Sequence, residues 1–289
     1  MIRKLVIMRF PKGRAKAVTL SYDDGVKTDQ RLISIMNQYG LKGTFNINSN
    51  LFSEEGTTDP KPTRRMTASE AKETYLNSGH EVAIHGLNHG QFPYMAKGTA
   101  SYEVCEDRRR LEEMMGQVIR GMAYPFGTYT DELLEVLRAN EIAYSRTTRA
   151  HHSFHLPEEF LTWHPTCHHR DERLAELTQE FLEAQPGTPR QHGSRLFYLW
   201  GHSYEFENDG NWHIIEDFAR TIGGREDIWY ATNMEIYQYV KAFERLEFAV
   251  DQTWVYNPSG VDLWLACNEW NGQKSQSICV PAGKTAALR

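Results

Sequence analysis

Apolar runs alternating with stretches of helical periodicity set the first expectation for this chain. Ala17-Val18-Thr19-Leu20-Ser21-Tyr22 is a short, largely apolar run that stops at Asp23-Asp24-Gly25, as a buried strand entering a loop does. Leu32, Ile33, Ile35, Met36 and Tyr39 then recur at helical spacing, and Gly40 supplies the stop. Lys42 to Asn48 reads as the next strand. Thr67 and Glu70 form a capping-box pattern ahead of a helix ending near Gly79, and Glu81-Val82-Ala83-Ile84-His85 reads as a strand. The alternation continues through helix 99–115, strand 119–124, helix 130–140, strand 142–147, helix 171–184 and strand 195–201. Two further helices flank Asp227-Ile228-Trp229-Tyr230-Ala231. Repeated strand-helix units predict an α/β fold with a parallel sheet, open or closed into a barrel, whose functional residues gather at the carboxyl ends of the strands.

After residue 246 the pattern changes to strand-like segments: Trp254-Val255-Tyr256, Val261-Asp262-Leu263-Trp264-Leu265 and Ser277-Ile278-Cys279-Val280, with Asn271-Gly272 as a hairpin turn. Residues 1–246 are therefore expected to form the main unit and residues 247–289 a small β appendage. Its tryptophans are expected to pack against the main unit more readily than to form a sugar-stacking surface.

Composition narrows the partners. With 289 residues, 40% hydrophobic and 24% charged, the chain can bury one large core, and neither disorder nor a fibrous architecture is indicated. A formal net charge of -6, with Lys and Arg spread along the chain, gives nucleic acid no general attraction. No stretch approaches the roughly 20 apolar residues of a membrane span, so no membrane partner is expected. The apolar start is broken at Arg9 and lacks a small-residue cleavage site, which points to a cytoplasmic protein. The cysteines Cys105, Cys167, Cys267 and Cys279 form no CxxC pair and read as reduced thiols, although Cys267 and Cys279 could face each other across a hairpin.

The candidate chemistry lies at predicted strand ends. Adjacent carboxylates on a strand point to opposite faces, so Asp23 and Asp24 serve one site only if the strand ends there, and Gly25 permits that turn. His85-Gly86-Leu87-Asn88-His89 places two imidazoles four positions apart, a spacing that brings both to one face of a helical turn and suits a zinc-like ion. Gly86 stands where a metalloprotease helix would carry its Glu, so a base must come from elsewhere, and the acidic turn offers one. A parallel sheet would bring both motifs to one rim, giving two neutral imidazoles and a carboxylate with room for water. Ala123-Tyr124-Pro125-Phe126-Gly127 and Leu199-Trp200-Gly201-His202 end further strands at the same rim.

With these motifs in this order, the chain resembles the polysaccharide deacetylase family, the NodB-homology domain of carbohydrate esterase family four, over roughly residues 15 to 245. Ser21-Tyr22-Asp23-Asp24-Gly25 is similar to the family's Thr-Phe-Asp-Asp-Gly motif, His85 to His89 to its His-x-x-x-His motif, and Tyr124-Pro125-Phe126-Gly127 to its aromatic-proline wall. Trp200-Gly201-His202 resembles its late Leu-x-His motif, with Trp200 in place of the leucine of the acetyl-methyl pocket. The resemblance implies a distorted (β/α) barrel as catalytic domain over residues 1–246. It implies Asp24, His85 and His89 as metal ligands, Asp23 as general base and His202 as general acid. Tyr124, Pro125, Phe126 and Trp200 become substrate-binding residues, with the backbone N–H of Phe126 as an oxyanion donor.

Two positions depart from the family pattern. Ala123 stands where the family often has an Arg that holds the catalytic Asp, which leaves Arg146 and Arg149, just after a predicted strand, as replacements. Of the Asp-x-x-Asp-Trp segment that tunes the acid His, Leu161-Thr162-Trp163-His164-Pro165 offers only the Trp, while Glu205 follows His202 closely enough to orient it. His151, His152, His155, His164, His168 and His169 are expected to be loop histidines near the cleft, with no accompanying carboxylate pattern and hence no second metal site. The expected function is a metal-dependent hydrolase that removes acetyl from an N- or O-acetylated saccharide. Zinc is the expected ion, and cobalt, nickel or manganese would fit the same ligands. Alternatives are a hydrolase of another small amide, such as a formamide or ureide, and a silent metal- and saccharide-binding protein. Retention of Asp23 and His202 argues against the last.

Overall fold

The structure is a computed structural model that describes residues 4–185, 193–269 and 277–288. Its first half runs β1 (Lys4–Arg9), β2 (Lys16–Asp23), α1 (Asp29–Gln38), β3 (Gly43–Ile47), α2 (Ala68–Tyr75), β4 (Glu81–Ile84), α3 (Lys97–Met115), β5 (Gly121–Ala123), α4 (Asp131–Ala139) and β6 (Tyr144–Arg146). Then follow β7 (Cys167–His168), α5 (Leu174–Glu183), β8 (Arg195–Gly201), α6 (Ser203–Asn208), α7 (His213–Ile222), β9 (Ile228–Tyr230) and α8 (Asn233–Glu244). The chain closes with β10 (Glu247–Phe248), β11 (Trp254–Tyr256), β12 (Leu263–Glu269), β13 (Ser277–Val280) and β14 (Thr285–Ala287). No helix among the described residues is long and apolar enough to cross a membrane.

Strands β2 to β9 make one parallel sheet in the order β6-β5-β4-β3-β2-β8-β7, with β9 also on β2, and the sheet curls into a half-barrel. Strand β2 is its axis. Every residue from Lys16 to Asp23 is buried, which is why the sequence there reads as a near-continuous apolar run rather than an alternating one. Along one edge it pairs with β8, while Lys16 to Val18 meet β9 and Leu20 to Asp23 meet β3 on the other. Trp163 bridges to Arg146 at the end of β6, and Cys167-His168 pair with Leu199-Trp200 of β8. The segment 163–168 thus touches both edges of the curl, and this half-barrel agrees with the distorted (β/α) barrel that the resemblance implies.

Local signals explain most elements. Helix α2 begins with the capping box read from Thr67 and Glu70, but it ends at Tyr75, short of Gly79. Helix α8 carries a second such box, Thr232 with Glu235. Where one helix was expected between His202 and Asp227, the chain forms α6 and α7, separated at Gly210 with φ 63°.

The appendage is tied to the chain's beginning. Strand β1 runs antiparallel to β12, which pairs with β13, while β10, β11 and β14 form a second small sheet. Tyr239 of α8 links them to the barrel: its hydroxyl donates to Arg9 O at 2.7 Å and accepts from Trp264 N at 2.9 Å. Phe10, Leu196, Tyr198, Ile236, Leu263 and Val280 fill the core between them. Trp254 is half exposed, contrary to the expectation that it packs inward. Cys279 lies opposite Trp264 and not opposite Cys267, so the register keeps the two thiols from facing each other. The Asn271-Gly272 turn lies outside the described residues.

The join between β2 and β3 leaves no space at Gly43. A Cβ there would stand 2.8 Å from both Leu20 O and Met36 Cε, and the carbonyl cannot yield without parting the strands. Gly43→Ala is expected to cost about 1–3 kcal/mol of stability, the usual range for overpacking, in urea denaturation. A wild-type midpoint would contradict this register.

Candidate active site

At the carboxyl rim of the sheet, β2 ends in the acidic turn. Asp24 has φ 87° and Gly25 φ 63°, so the chain reverses at once; Asp is among the few L-residues that tolerate this region. The strand pleat would have sent the two carboxylates to opposite faces, but the reversal keeps both at the rim. Asp23 Oδ2 lies 3.8 Å from His85 Nε2, and Asp24 Oδ1 lies 3.8 Å from His89 Nε2.

The histidines meet without a helix, which corrects the helical-turn reading of their spacing. His85 follows β4, and the loop turns through Gly86 at φ 75° and His89 at φ 52°. A Cβ on Gly86 would fall 2.7 Å from Phe92 Cε2, so glycine is required there. Asp107 anchors the loop from below, accepting from His85 N at 3.2 Å and from Ser49 N at 2.8 Å. His85 Nδ1 donates to Ala123 O at 2.8 Å, which leaves the Nε2 lone pair facing the cleft. Burial outweighs the nearby Asp23 and Asp24 charges and pushes the His85 pKa down to about 4, and burial also lowers His89. Both are neutral at pH 7, the form that ligates metal.

Candidate ligand atoms of Asp24, His85 and His89 all lie within 4.8 Å of one another. One carboxylate and two neutral imidazoles, with the outer nitrogen of His85 already bonded, fit a divalent ion that keeps open positions for water and substrate.

Asp23 is 2% exposed and would be costly if unpaired. Its partner is Arg146, not Arg149: the fully buried guanidinium donates Nη2 to Asp23 Oδ2 and lies 4.4 Å over the Trp200 ring. Asn46 Nδ2 donates to Asp23 Oδ1 at 2.8 Å. Ala123 and Arg146 are directly paired across β5 and β6, so a long side chain on the neighbouring strand takes the place of one at 123. Burial alone would raise the Asp23 pKa, but Arg146, His85, His202 and the Asn46 hydrogen bond bring it to about 2.

His202 follows β8 with Nε2 3.9 Å from Asp23 Oδ2 and Nδ1 3.5 Å from Glu205 Oε1 on the first turn of α6. Glu205 also receives Arg170 Nη1 at 3.1 Å and lies 3.2 and 3.0 Å from His168 Nε2 and His169 Nε2. Burial pushes Glu205 up, but the three histidines hold it far below the usual carboxylate range. Burial likewise opposes charge on His202, yet Glu205, Asp23 and Asp24 together raise its pKa above the ordinary value.

The expectation that no carboxylate accompanies the later histidines is therefore corrected for His152, His168 and His169. Arg170 N donates to His168 Nδ1 at 3.1 Å, so His168 carries its hydrogen on Nε2 and directs it at Glu205. His168, His169 and Glu205 thus form a second group whose candidate ligand atoms lie within 4.8 Å of one another, a pattern the sequence did not lead one to expect. His152 pairs instead with Asp171 at 2.6 Å, and His164 bonds Thr147 Oγ1.

The predicted substrate wall divides. Tyr124 is buried, donating to Leu161 O at 2.7 Å and stacked on Tyr129, and Pro125 is also interior. Phe126 is 54% exposed with φ 60°, its ring 4.7 Å from His89, and Trp200 sits at the rim beside His168 and His202. Sequence reading missed Arg65 and Asn48, which lie in or beside a loop without periodicity yet contact the ligand-bearing turns.

Residues 11–145 match the family model described as Polysaccharide deacetylase. A protein from Mycobacterium smegmatis assigned as a polysaccharide deacetylase aligns in structure with TM-score 0.58 at 15% identity, over 84% of this chain and 96% of its own. A family 4 carbohydrate esterase from Streptomyces lividans aligns with TM-score 0.50 at 13% identity, over 75% of this chain and 93% of its own. These likenesses bear out the fold. No curated protein sequence matches the chain.

Because Arg146 neutralises a carboxylate that is out of water, Arg146→Ala should lower stability at pH 7 by about 3–5 kcal/mol, the cost of breaking a buried pair. Asp23→Asn in the same chain should return part of the loss in urea denaturation. A cost under about 1 kcal/mol would mean that the pair is solvated.

Proposed function

We propose that this chain, whose residues 11–145 match the polysaccharide deacetylase family model, is a metal-dependent deacetylase acting on N- or O-acetylated saccharides. The observation that carries this reading is that Asp23 Oδ2 has the neutral His85 at 3.8 Å on one side and the proton-rich His202 at 3.9 Å on the other, beside a three-ligand group.

Asp24, His85 and His89 would hold the ion, which we take as zinc because two imidazoles and a carboxylate suit it. When bound, a divalent ion polarises an acyl oxygen and acidifies water enough for a carboxylate as weakly basic as Asp23 to accept its proton. Asp23 is ionised at any pH near neutrality, and the Arg146 and Asn46 contacts fix its orientation. His202, charged and with Glu205 Oε1 3.5 Å behind Nδ1, presents Nε2–H to the leaving nitrogen or oxygen and donates that proton as the tetrahedral intermediate collapses. The Phe126 N–H supplies an oxyanion donor, and Phe126 and Trp200 give the apolar surface for the acetyl methyl, with Tyr124 and Pro125 supporting them from within.

Acetate release from N-acetylglucosamine oligomers and acetylated xylan, run against small amides including formamides and ureides, tests the substrate class. Asp23→Asn should lower turnover by about 10²–10⁴ while metal content stays at the wild-type level. Equal activity in the two proteins would remove Asp23 as base.

The acid requires the charged form of His202, so activity should fall as pH rises through its folded-state pKa. That basic limb should lie above the ordinary value of about 6.5. Glu205→Gln removes a group that raises this pKa, so the limb should move to lower pH in kcat profiles. A limb that stays in place would separate Glu205 from the acid.

A further inference from the structure

Arg65 stands in the loop between β3 and α2, joined to the acidic turn by a bridge with Val26 and by Met66 N donating to Gly25 O at 2.9 Å. Its guanidinium spans three acceptors. Nη1 donates to the Asp24 backbone O and to Asn48 Oδ1 at 2.8 Å, and Nη2 donates to Asp24 Oδ1 at 2.8 Å. Asn48, 1% exposed, turns its amide the other way: Nδ2 donates to His85 O and to Gly86 O, both at 2.6 Å. Both turns so tied have backbones that L-residues adopt only at a cost, at Asp24 and at His89.

We infer that Arg65 and Asn48 form a two-residue clamp that locks the acidic turn to the histidine loop and sets the separation of Asp24 from His85 and His89. The inference rests on the ion-binding role proposed for those three residues. Neither clamp residue offers an atom to the ion; both are positioning residues. The guanidinium fork suits Arg65 to the task, since its planar donors reach carboxylate, carbonyl and amide oxygen together, which a lysine ammonium on a flexible stem does not reproduce. Outer contacts of this kind typically change metal affinity 10- to 100-fold when removed. Because the two residues act in series, losing either opens the same link, and their effects should not add.

The test is a double-mutant cycle on cobalt affinity, measured by chelator competition on metal-stripped full-length protein, with circular dichroism recorded for each variant. Arg65→Met and Asn48→Ala are each expected to weaken binding about 10- to 100-fold, with the double variant no weaker than the worse single one. Arg65→Lys keeps the charge at a part-exposed site and is expected to weaken binding as well. Additive losses, an unchanged affinity in Arg65→Met, or full recovery in Arg65→Lys would overturn the clamp. Tighter binding in Arg65→Met would overturn it too, showing a cation that merely competes for Asp24. A wild-type protein that binds no cobalt would instead contradict the ligand assignment beneath it.

Discussion

The site depends on neutralising one carboxylate that has been taken out of water. Asp23 ends the axial strand of the sheet, is buried, and would be untenable as an anion without Arg146. That single pair constrains its surroundings. Strand β6 must lie beside β5 with Ala123 level with Arg146, and Trp200 must lie under the guanidinium. The small side chain at 123 is then no deficiency. In a parallel pair, residues in register reach the same height, so a cation can move sideways by one strand and still meet the same carboxylate.

Around this fixed anion, environment sorts two histidines that stand at nearly equal distances from it. His85 has given Nδ1 to a carbonyl and has no solvent, and burial wins there over the adjacent charges. His202 sits at the rim with Glu205 behind it, and the carboxylates win over burial. One imidazole is therefore kept as a lone-pair donor and the other as a proton donor. Such divergence between neighbouring titratable groups would let a single site separate the proposed acid from the proposed ligands. Glu205 can do this because the histidines that face it hold it ionised against its burial.

Much of this is legible in the sequence. The run from Ala17 to Tyr22 and the stop at Asp23-Asp24-Gly25 located the axial strand and its end, since a strand buried on both faces leaves a continuous apolar signature. The Thr67 and Glu70 box was equally plain because capping is local chemistry. What stayed hidden depended on register and on loops. Arg146 could be named as a candidate but not chosen over Arg149, because only the pairing with Ala123 decides between them. His168 and His169 looked isolated because Glu205 lies far along the chain and joins them only when β7 docks on β8. Arg65 and Asn48 gave no signal, being ordinary polar residues whose partners are mostly backbone carbonyls and loop side chains. The four-residue spacing of His85 and His89 suggested a helical turn, yet two positive φ angles achieve the same convergence.

Everything proposed about chemistry requires a cation between the acidic turn and the histidine loop. Crystals grown with zinc or cobalt and measured on both sides of the metal's absorption edge test this directly. The account predicts an anomalous peak about 2.0–2.2 Å from a carboxylate oxygen of Asp24 and from Nε2 of His85 and of His89. An ordered ion elsewhere with none at these three atoms would contradict it.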